Sequence, residues 1–123
     1  MTRTRERLAI GVYAACFGAA TCLHATHLLR GGWMPYRFAP PALNAFWTAL
    51  TVLDPLVVAL LLTGRRRAGL GLALAIMVAD VAVNSYALFG LGIVALSPAL
   101  QMQTAFLGFV VGSAAFLWPL APT

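Results

Sequence analysis

Four long apolar runs occupy most of the chain, and short polar stretches separate them. The runs cover about residues 8–29, 43–62, 68–89 and 100–117. Each has roughly the 20 residues that an α-helix needs to cross a hydrocarbon core of about 30 Å. Because a segment in lipid must satisfy its own backbone hydrogen bonds, the runs are expected to be helices. The pattern predicts an all-α membrane protein, a single four-transmembrane-helix bundle over residues 1–123.

Arginines mark the ends of these runs. All eight basic residues are arginines, and six of them precede the first run or follow the second: Arg3, Arg5, Arg7, Arg65, Arg66 and Arg67. Only Arg30 and Arg37 lie in the first loop. Since cytoplasmic loops carry an excess of basic residues, the amino and carboxyl termini are expected to be cytoplasmic. The length of the first run favours an uncleaved helix over a cleaved signal peptide.

Composition agrees with this class and excludes others. The chain is 62% hydrophobic and 9% charged, whereas soluble domains carry about 25% charged residues. The net charge of +5 comes from arginines at helix ends, and no extended basic face carries aromatic residues, so no nucleic-acid partner is expected. The expected partner of the surface is the lipid bilayer. Cys16 and Cys22 point to different sides of one helix, which disfavours a disulfide between them.

Two aspartates give the strongest functional signal. Asp54 and Asp80 fall near the centres of the second and third helices, where a carboxylate is unfavourable unless it is protonated, paired or hydrated. Structural roles stay open for both. Asp54 precedes Pro55, and a proline inside a helix frees a backbone carbonyl one turn earlier, so the kink can admit a structural water or hydrogen bond that Asp54 helps to organise. Asp80 and Asn84, one turn apart, can simply hold helices together.

Other polar residues share helix faces with these aspartates, because they follow three- and four-residue spacing. The candidate ligand-binding residues are His24, His27, Trp47, Thr51, Asn84 and Gln101. Their depths along the helices predict a polar pocket that is open toward the outer face and closed below. The two histidines can also be structural. No metal is expected, because the two histidines have no third carboxylate or cysteine ligand nearby. The sequence identifies no cofactor.

Such a pocket suits proton chemistry. Two carboxylates held close in a low dielectric cannot both ionise readily, so one is expected to keep its proton. Asp54 and Asp80 are then candidates for an acid and a base, and a histidine can relay protons to the outer surface. The arrangement is compatible with proton-coupled transport, with acid–base isomerisation of a lipophilic substrate, and with binding of a cationic ligand.

Small residues on the fourth helix offer a contact surface. Thr104, Gly108 and Gly112 recur at four-residue spacing, and such faces let helix backbones approach closely. They can pack inside a monomeric bundle. They can also join two copies of the chain or a larger membrane complex.

Two segments resemble known proteins. The stretches FWTALTVLDP, from Phe46 to Pro55, and IMVADVAVN, from Ile76 to Asn84, look like segments of small uncharacterised bacterial four-helix membrane proteins. The layout is also similar to the EXPERA-type family, which includes sterol isomerases, and to the DoxX-like families. In EXPERA proteins four helices enclose a lipophilic pocket with membrane-embedded acidic residues, and an aromatic-acidic second helix is typical. Phe46, Trp47 and Asp54 would match that helix. The resemblance implies a multi-pass protein of the bacterial inner (cytoplasmic) membrane.

Three functions are compatible with these observations. The leading hypothesis is binding of a small lipophilic or cationic molecule against Asp54 and Asp80, with acid–base chemistry as an open question. The second is an accessory or structural subunit of a larger membrane complex, which the small size and the glycines Gly108 and Gly112 support. The third is a proton-coupled small transporter that acts as a dimer, although the inner half of the predicted bundle has almost no ionisable groups.

Overall fold

Four long α-helices account for most of the computed structural model, which describes residues 2–121. They are α1 (Thr2–Gly31), α2 (Pro41–Leu62), α3 (Arg66–Ser85) and α4 (Ser97–Leu120). Each lies in a segment long and apolar enough to cross a membrane. The predicted all-α fold with four such helices is confirmed, whereas the side on which the termini lie stays a prediction. Residues 1, 122 and 123 of the predicted single domain lie outside the described part of the chain.

The helices extend beyond the apolar runs that predicted them. Helix α1 begins at Thr2, because arginine has a helix propensity close to that of leucine. Helix α4 begins at Ser97 with Pro98 in its first turn. Backbone N–H groups in the first turn have no carbonyl partner within the helix, so a proline there loses no hydrogen bond. Helix α3 continues into a π-helical turn, Tyr86–Gly90. A 3₁₀ turn, Val94–Leu96, then leads into α4. Hydropathy therefore locates the lipid-facing part of a helix rather than its ends.

Consecutive helices pack against one another, and α1 meets α4 through large side chains. Tyr13 of α1 is fully buried. Its hydroxyl donates to the carbonyl oxygen of Val110 at 3.2 Å and lies 2.8 Å from Oγ of Ser113. The rings of Phe106 and Phe109 pack on Tyr13, with centroids 6.2 and 5.6 Å away. An aromatic cluster with one polar contact therefore closes the bundle between α1 and α4.

Two further contacts join the helices at their arginine-bearing ends. Glu6 of α1 forms an ion pair with Arg66 of α3. The guanidinium of Arg67 lies 5.6 Å from the centroid of the Trp118 ring on α4, where the negative face of an aromatic ring attracts a cation. Helices α1 and α4 are thus both tied to the first turn of α3.

The packing of α2 on α3 depends on Gly69. Gly64, with φ of +86°, forms the turn between the two helices in a conformation that favours glycine. A Cβ atom at position 69 would lie 2.7 Å from Cδ2 and 2.8 Å from Cγ of the buried Leu61. Non-bonded carbon atoms prefer about 3.5–4.0 Å. Only glycine therefore fits at position 69 without movement of its neighbour.

We expect Gly69→Ala to lower the free energy of unfolding by about 1–3 kcal/mol, because an added methyl group in a packed interior forces its surroundings to shift. Gly108→Ala is the matched control. An added Cβ at position 108 meets no atom within 4 Å, so the better helix propensity of alanine should leave stability equal or slightly higher. Thermal unfolding in detergent measures both. Equal midpoints for the two variants would show that Leu61 moves away freely.

Candidate functional site

A half-open cavity of about 920 Å³ is lined by all four helices and by the first loop. Small-molecule sites in proteins typically enclose about 300–1,000 Å³, so this volume is in their range. Phe17 and Phe106, with ring centroids 5.5 Å apart, form the part of the wall that adjoins Tyr13. The polar and charged residues of the wall are His24, His27, Arg30, Tyr36, Trp47, Asp54, Asp80, Asn84 and Gln103.

Asn84 joins three helices at the wall of this cavity. Its Oδ1 accepts a hydrogen bond from Nε1 of Trp47 at 2.8 Å. Its Nδ2 donates to Oε1 of Gln103 at 2.6 Å and to Oδ1 of Asp80 at 3.3 Å. Because an amide has one acceptor oxygen and two N–H hydrogens, all three bonds can form together. Asp80 is buried, and Asn84 supplies it with a hydrogen-bond donor from the same helix.

Asp54 is less well paired. Its residue exposure is 3%, and its Oδ2 lies 3.8 Å from Nε2 of His24, which is longer than a hydrogen bond. Within residues 2–121 no side chain or backbone group donates a hydrogen bond to this carboxylate. Pro55 removes the N–H that would bond the carbonyl of Thr51, and Oγ1 of Thr51 is buried without a partner in the same range. The middle of α2 thus carries several polar groups whose hydrogen bonds are incomplete.

Tyr36 of the first loop lies over the two histidines. Its hydroxyl is 2.6 Å from Nδ1 of His24 and 2.9 Å from Nδ1 of His27. Since the phenol has only one hydrogen, at least one imidazole must donate an Nδ1–H to it. The backbone N–H of Tyr36 donates to Oδ1 of Asn44 at 3.0 Å, and Nδ2 of Asn44 donates to the carbonyl of Met34 at 2.9 Å. Asn44 therefore holds the loop in place at this end of the cavity.

These contacts form a line of polar groups from the loop to the interior. The line runs from His27 through the Tyr36 hydroxyl to His24, and from the far nitrogen of His24 to Asp54. An imidazole accepts a proton on one nitrogen and releases one from the other. The hydrogen-bonded part of this line is chemically able to carry a proton between the partly buried His27 and His24, and the carboxylate of Asp54 lies 3.8 Å beyond the far nitrogen of His24.

The structure brings most of the predicted site residues to this cavity. His24, His27, Trp47, Asp54, Asp80 and Asn84 line it, whereas Thr51 and Gln101 do not. Tyr36 covers His24 and His27 at the end of the cavity that adjoins the first loop, and the side of the membrane on which this end lies stays a prediction. The sequence carries no signal for a role of Tyr36, since an irregular loop has no periodicity that would point its side chain inward.

Gln103 lies in the cavity wall, and Gln101 is exposed on another side of α4. The signal for this difference was present in the sequence. Gln103 shares three- and four-residue spacing with Phe106, Val110 and Ser113, which form the inward face of α4. Gln101 shares the same kind of spacing with Thr104 and continues the outward face instead.

Residues 2–121 contain no group of three histidine, cysteine, aspartate or glutamate side chains placed to hold a metal ion. The two histidines converge on the Tyr36 hydroxyl instead. The polar part of the cavity is therefore suited to hydrogen bonds, proton transfer and pairing with a cation.

Comparison with other proteins adds no relative. No protein-family model, no curated protein and no solved structure matches the chain. The resemblance to small bacterial four-helix membrane proteins and to the EXPERA-type and DoxX-like families therefore stays a prediction, and the function rests on the site itself.

Replacement of Asn84 should destabilise the bundle. We expect Asn84→Ala to lower the free energy of unfolding by about 1–3 kcal/mol, since it leaves the buried N–H of Trp47 without an acceptor. Gln101→Ala, also an amide truncation but at an exposed position, should have little effect. Chemical unfolding followed by circular dichroism compares the two variants. A stability loss of the same size in both would contradict a central role for Asn84.

Tyr36 should ionise late in an alkaline titration. Burial and, next, the negative charge of Asp54 raise the pKa of Tyr36 from its ordinary 10.0 to about 12. A pKa that is higher in the folded chain contributes stability below the ordinary value, and that contribution is lost as the pH rises from about 10 to about 12. Tyrosinate absorbance of the wild type minus that of Tyr36→Phe measures this group, and Tyr86→Phe should retain the late step. A Tyr36 transition near pH 10 would show that the hydroxyl is open to water.

Proposed function

We propose that the protein binds a small lipophilic or cationic molecule in the 920 Å³ cavity, with Asp54 and Asp80 as the groups that recognise its polar end. The observation that carries the proposal is the state of Asp54. A buried carboxylate that faces a cavity without a hydrogen-bond donor is unfavourable. A cationic or N–H-bearing group of a ligand would supply the missing donor, and the apolar wall would cover the rest of the molecule.

Acid–base chemistry is a natural extension of this binding. A proton that leaves Nε2 of His24 for Oδ2 of Asp54 can be replaced at Nδ1 of His24 by the hydroxyl hydrogen of Tyr36. Tyr36 in turn can recover a hydrogen from Nδ1 of His27, and the partly exposed His27 would take up a proton at its own Nε2 from water, so that both rings stay neutral. The Tyr36 hydroxyl lies 2.6 and 2.9 Å from the two Nδ1 atoms, and the last transfer would require the 3.8 Å between His24 and Asp54 to shorten to hydrogen-bond length. Asp54 would thus gain or lose a proton toward a bound substrate without direct contact with bulk water.

The proposal places the protein in the bacterial inner membrane. Its four apolar helices support a multi-pass membrane protein. The arginine bias supports a cytoplasmic location for both termini and for the turn that carries Arg65, Arg66 and Arg67. The cavity would then lie between the middle of the membrane and its outer surface.

The proposal is tested by native mass spectrometry of the gently purified wild type beside Asp54→Asn, Asp80→Asn and the double variant. Asparagine keeps the size of the side chain and removes its charge. Hydrogen bonds to charged groups contribute about 1.5–3 kcal/mol, so Asp54→Asn alone should weaken retention of a co-purified molecule roughly tenfold or more. The double variant should lose it. Gln101→Ala, outside the cavity, should retain it.

An unchanged bound molecule in the double variant would contradict the proposed role of the aspartates. Loss of the folded state in Asp54→Asn, seen by circular dichroism, would instead favour a structural role for this residue. The mass of a retained and charge-dependent molecule would identify the ligand class directly.

A second candidate function is that of a subunit in a homodimer or a larger membrane complex, and one observation favours it. Thr104, Gly108 and Gly112 are all exposed, and a Cβ added at either glycine meets nothing within 4 Å. The small-residue face of α4 thus lies away from the other three helices, which supports a contact outside the monomer. Stoichiometric membrane subunits in the same mass spectra would support this candidate.

Proton-coupled transport is less well supported. A path across the membrane needs polar groups on both sides of the aspartates. Between the cavity and the arginine-bearing end, the buried side chains are mostly apolar, with Val57, Leu61 and Leu70 among them. A transporter would therefore need a second copy of the chain to complete the path.

A further inference from the structure

Three arginines converge at the arginine-bearing end of the bundle, far along α1 from the aspartates. A small cleft of about 250 Å³ is lined by Arg3, Glu6, Arg7 and Arg66. Arg3 and Arg7 are one helical turn apart and share a face of α1, whereas Arg5 projects from a different side. Arg66 reaches the same cleft from the first turn of α3. Two helices therefore contribute guanidinium groups to one cleft.

The cleft carries more positive than negative charge. Glu6 forms an ion pair with Arg66, and the only other acidic side chains of the sequence, Asp54 and Asp80, line the larger cavity. Three arginines against one glutamate leave a net charge of +2 in the cleft. Like charges one turn apart on a helix repel each other. An anion between Arg3 and Arg7 would remove this repulsion.

The position of the cleft indicates which anion it suits. The apolar run of α1 begins directly after Arg7, and the apolar part of α3 begins directly after Arg67. The cleft thus lies at the boundary of the apolar segments, where lipid headgroups are found. Guanidinium groups match the oxygens of a phosphate with paired, charge-assisted hydrogen bonds.

We propose that Arg3, Arg7 and Arg66 bind the phosphate of an anionic membrane lipid, and that Glu6 holds Arg66 in position for this contact. The side chains of Arg66 and Glu6 are only 32% and 16% exposed, so this pair is already ordered against the protein. The exposed Arg3 and Arg7 complete the site when the phosphate enters. This site is independent of the cavity that contains Asp54.

The test is native mass spectrometry of the full chain in detergent with phosphatidylglycerol or phosphatidylcholine, which share a phosphate and differ in net charge. One phosphatidylglycerol should be retained per chain, and phosphatidylcholine should be removed. The double variant Arg3→Gln/Arg7→Gln should lower the apparent affinity for phosphatidylglycerol about thirtyfold, equivalent to about 1 kcal/mol for each arginine. The single variant Arg7→Gln should give about a fivefold loss. Arg5→Gln, the same change on the same helix but outside the cleft, should stay within twofold.

Equal losses in Arg5→Gln and Arg7→Gln would overturn the proposal, because the preference would then come from the summed charge of this end of the protein. Equal retention of the two lipids would also overturn it. Inorganic phosphate is the third probe. If it displaces phosphatidylglycerol at equal concentration, the site is one for free phosphate and the lipid assignment is wrong. Equal thermal unfolding midpoints of all variants show that the losses come from binding rather than from unfolding.

Discussion

The hydrogen bonds of Asn84 hold the polar interior of this bundle in place. In apolar surroundings an unpaired polar group costs several kcal/mol, and Asn84 satisfies one group on α2, one on α4 and one on its own helix. Trp47 is thereby fixed, and the ring of Tyr36 packs on it with centroids 5.6 Å apart. Asn84 therefore helps to position the ring of Tyr36 through Trp47, while Asn44 holds the backbone of the first loop.

The cavity exists because α1 and α4 are joined at one level and separated at another. The Tyr13 hydroxyl and the rings of Phe17 and Phe106 join them. Further along α1, Leu23 is 55% exposed although it lines the cavity, and on α4 Met102 is 74% exposed. Near these two residues, His24 and His27 of α1 contact the first loop instead of α4. In this region the loop thus takes the place of a contact between α1 and α4. It brings polar groups to a position where two packed helices would present apolar side chains.

The sequence predicts the helices well because the length of an apolar run and the spacing of polar residues are local properties. The second run, about residues 43–62, differs from α2 only at its first turn, and helical spacing correctly grouped Asp80 with Asn84. The inward position of Tyr36 could not be predicted, because it depends on Asn44, which binds the backbone N–H of Tyr36 and the carbonyl of Met34. Gln101 was predicted for the site, whereas Gln103 lies in the cavity wall, because residue spacing alone does not say which face of α4 points inward. The rotation of α4 is set by Phe106, Val110 and Ser113, whose contacts with Tyr13 lie far apart in the chain.

Asp54 and Asp80 differ in how completely a structural role explains them. Asp80 accepts a hydrogen bond from Asn84, and the same amide reaches two other helices, so helix association is a sufficient reason for its presence. Asp54 has only His24 at 3.8 Å and stands beside a proline that leaves further polar groups unpaired. A contact between helices therefore does not explain why an aspartate lies at position 54. Its carboxylate needs a proton, a water molecule or a cation from outside the helices, and a proton supplied through His24 or a cationic ligand in the cavity would meet that need. Asp54, more than Asp80, is thus the residue through which a bound molecule would be recognised.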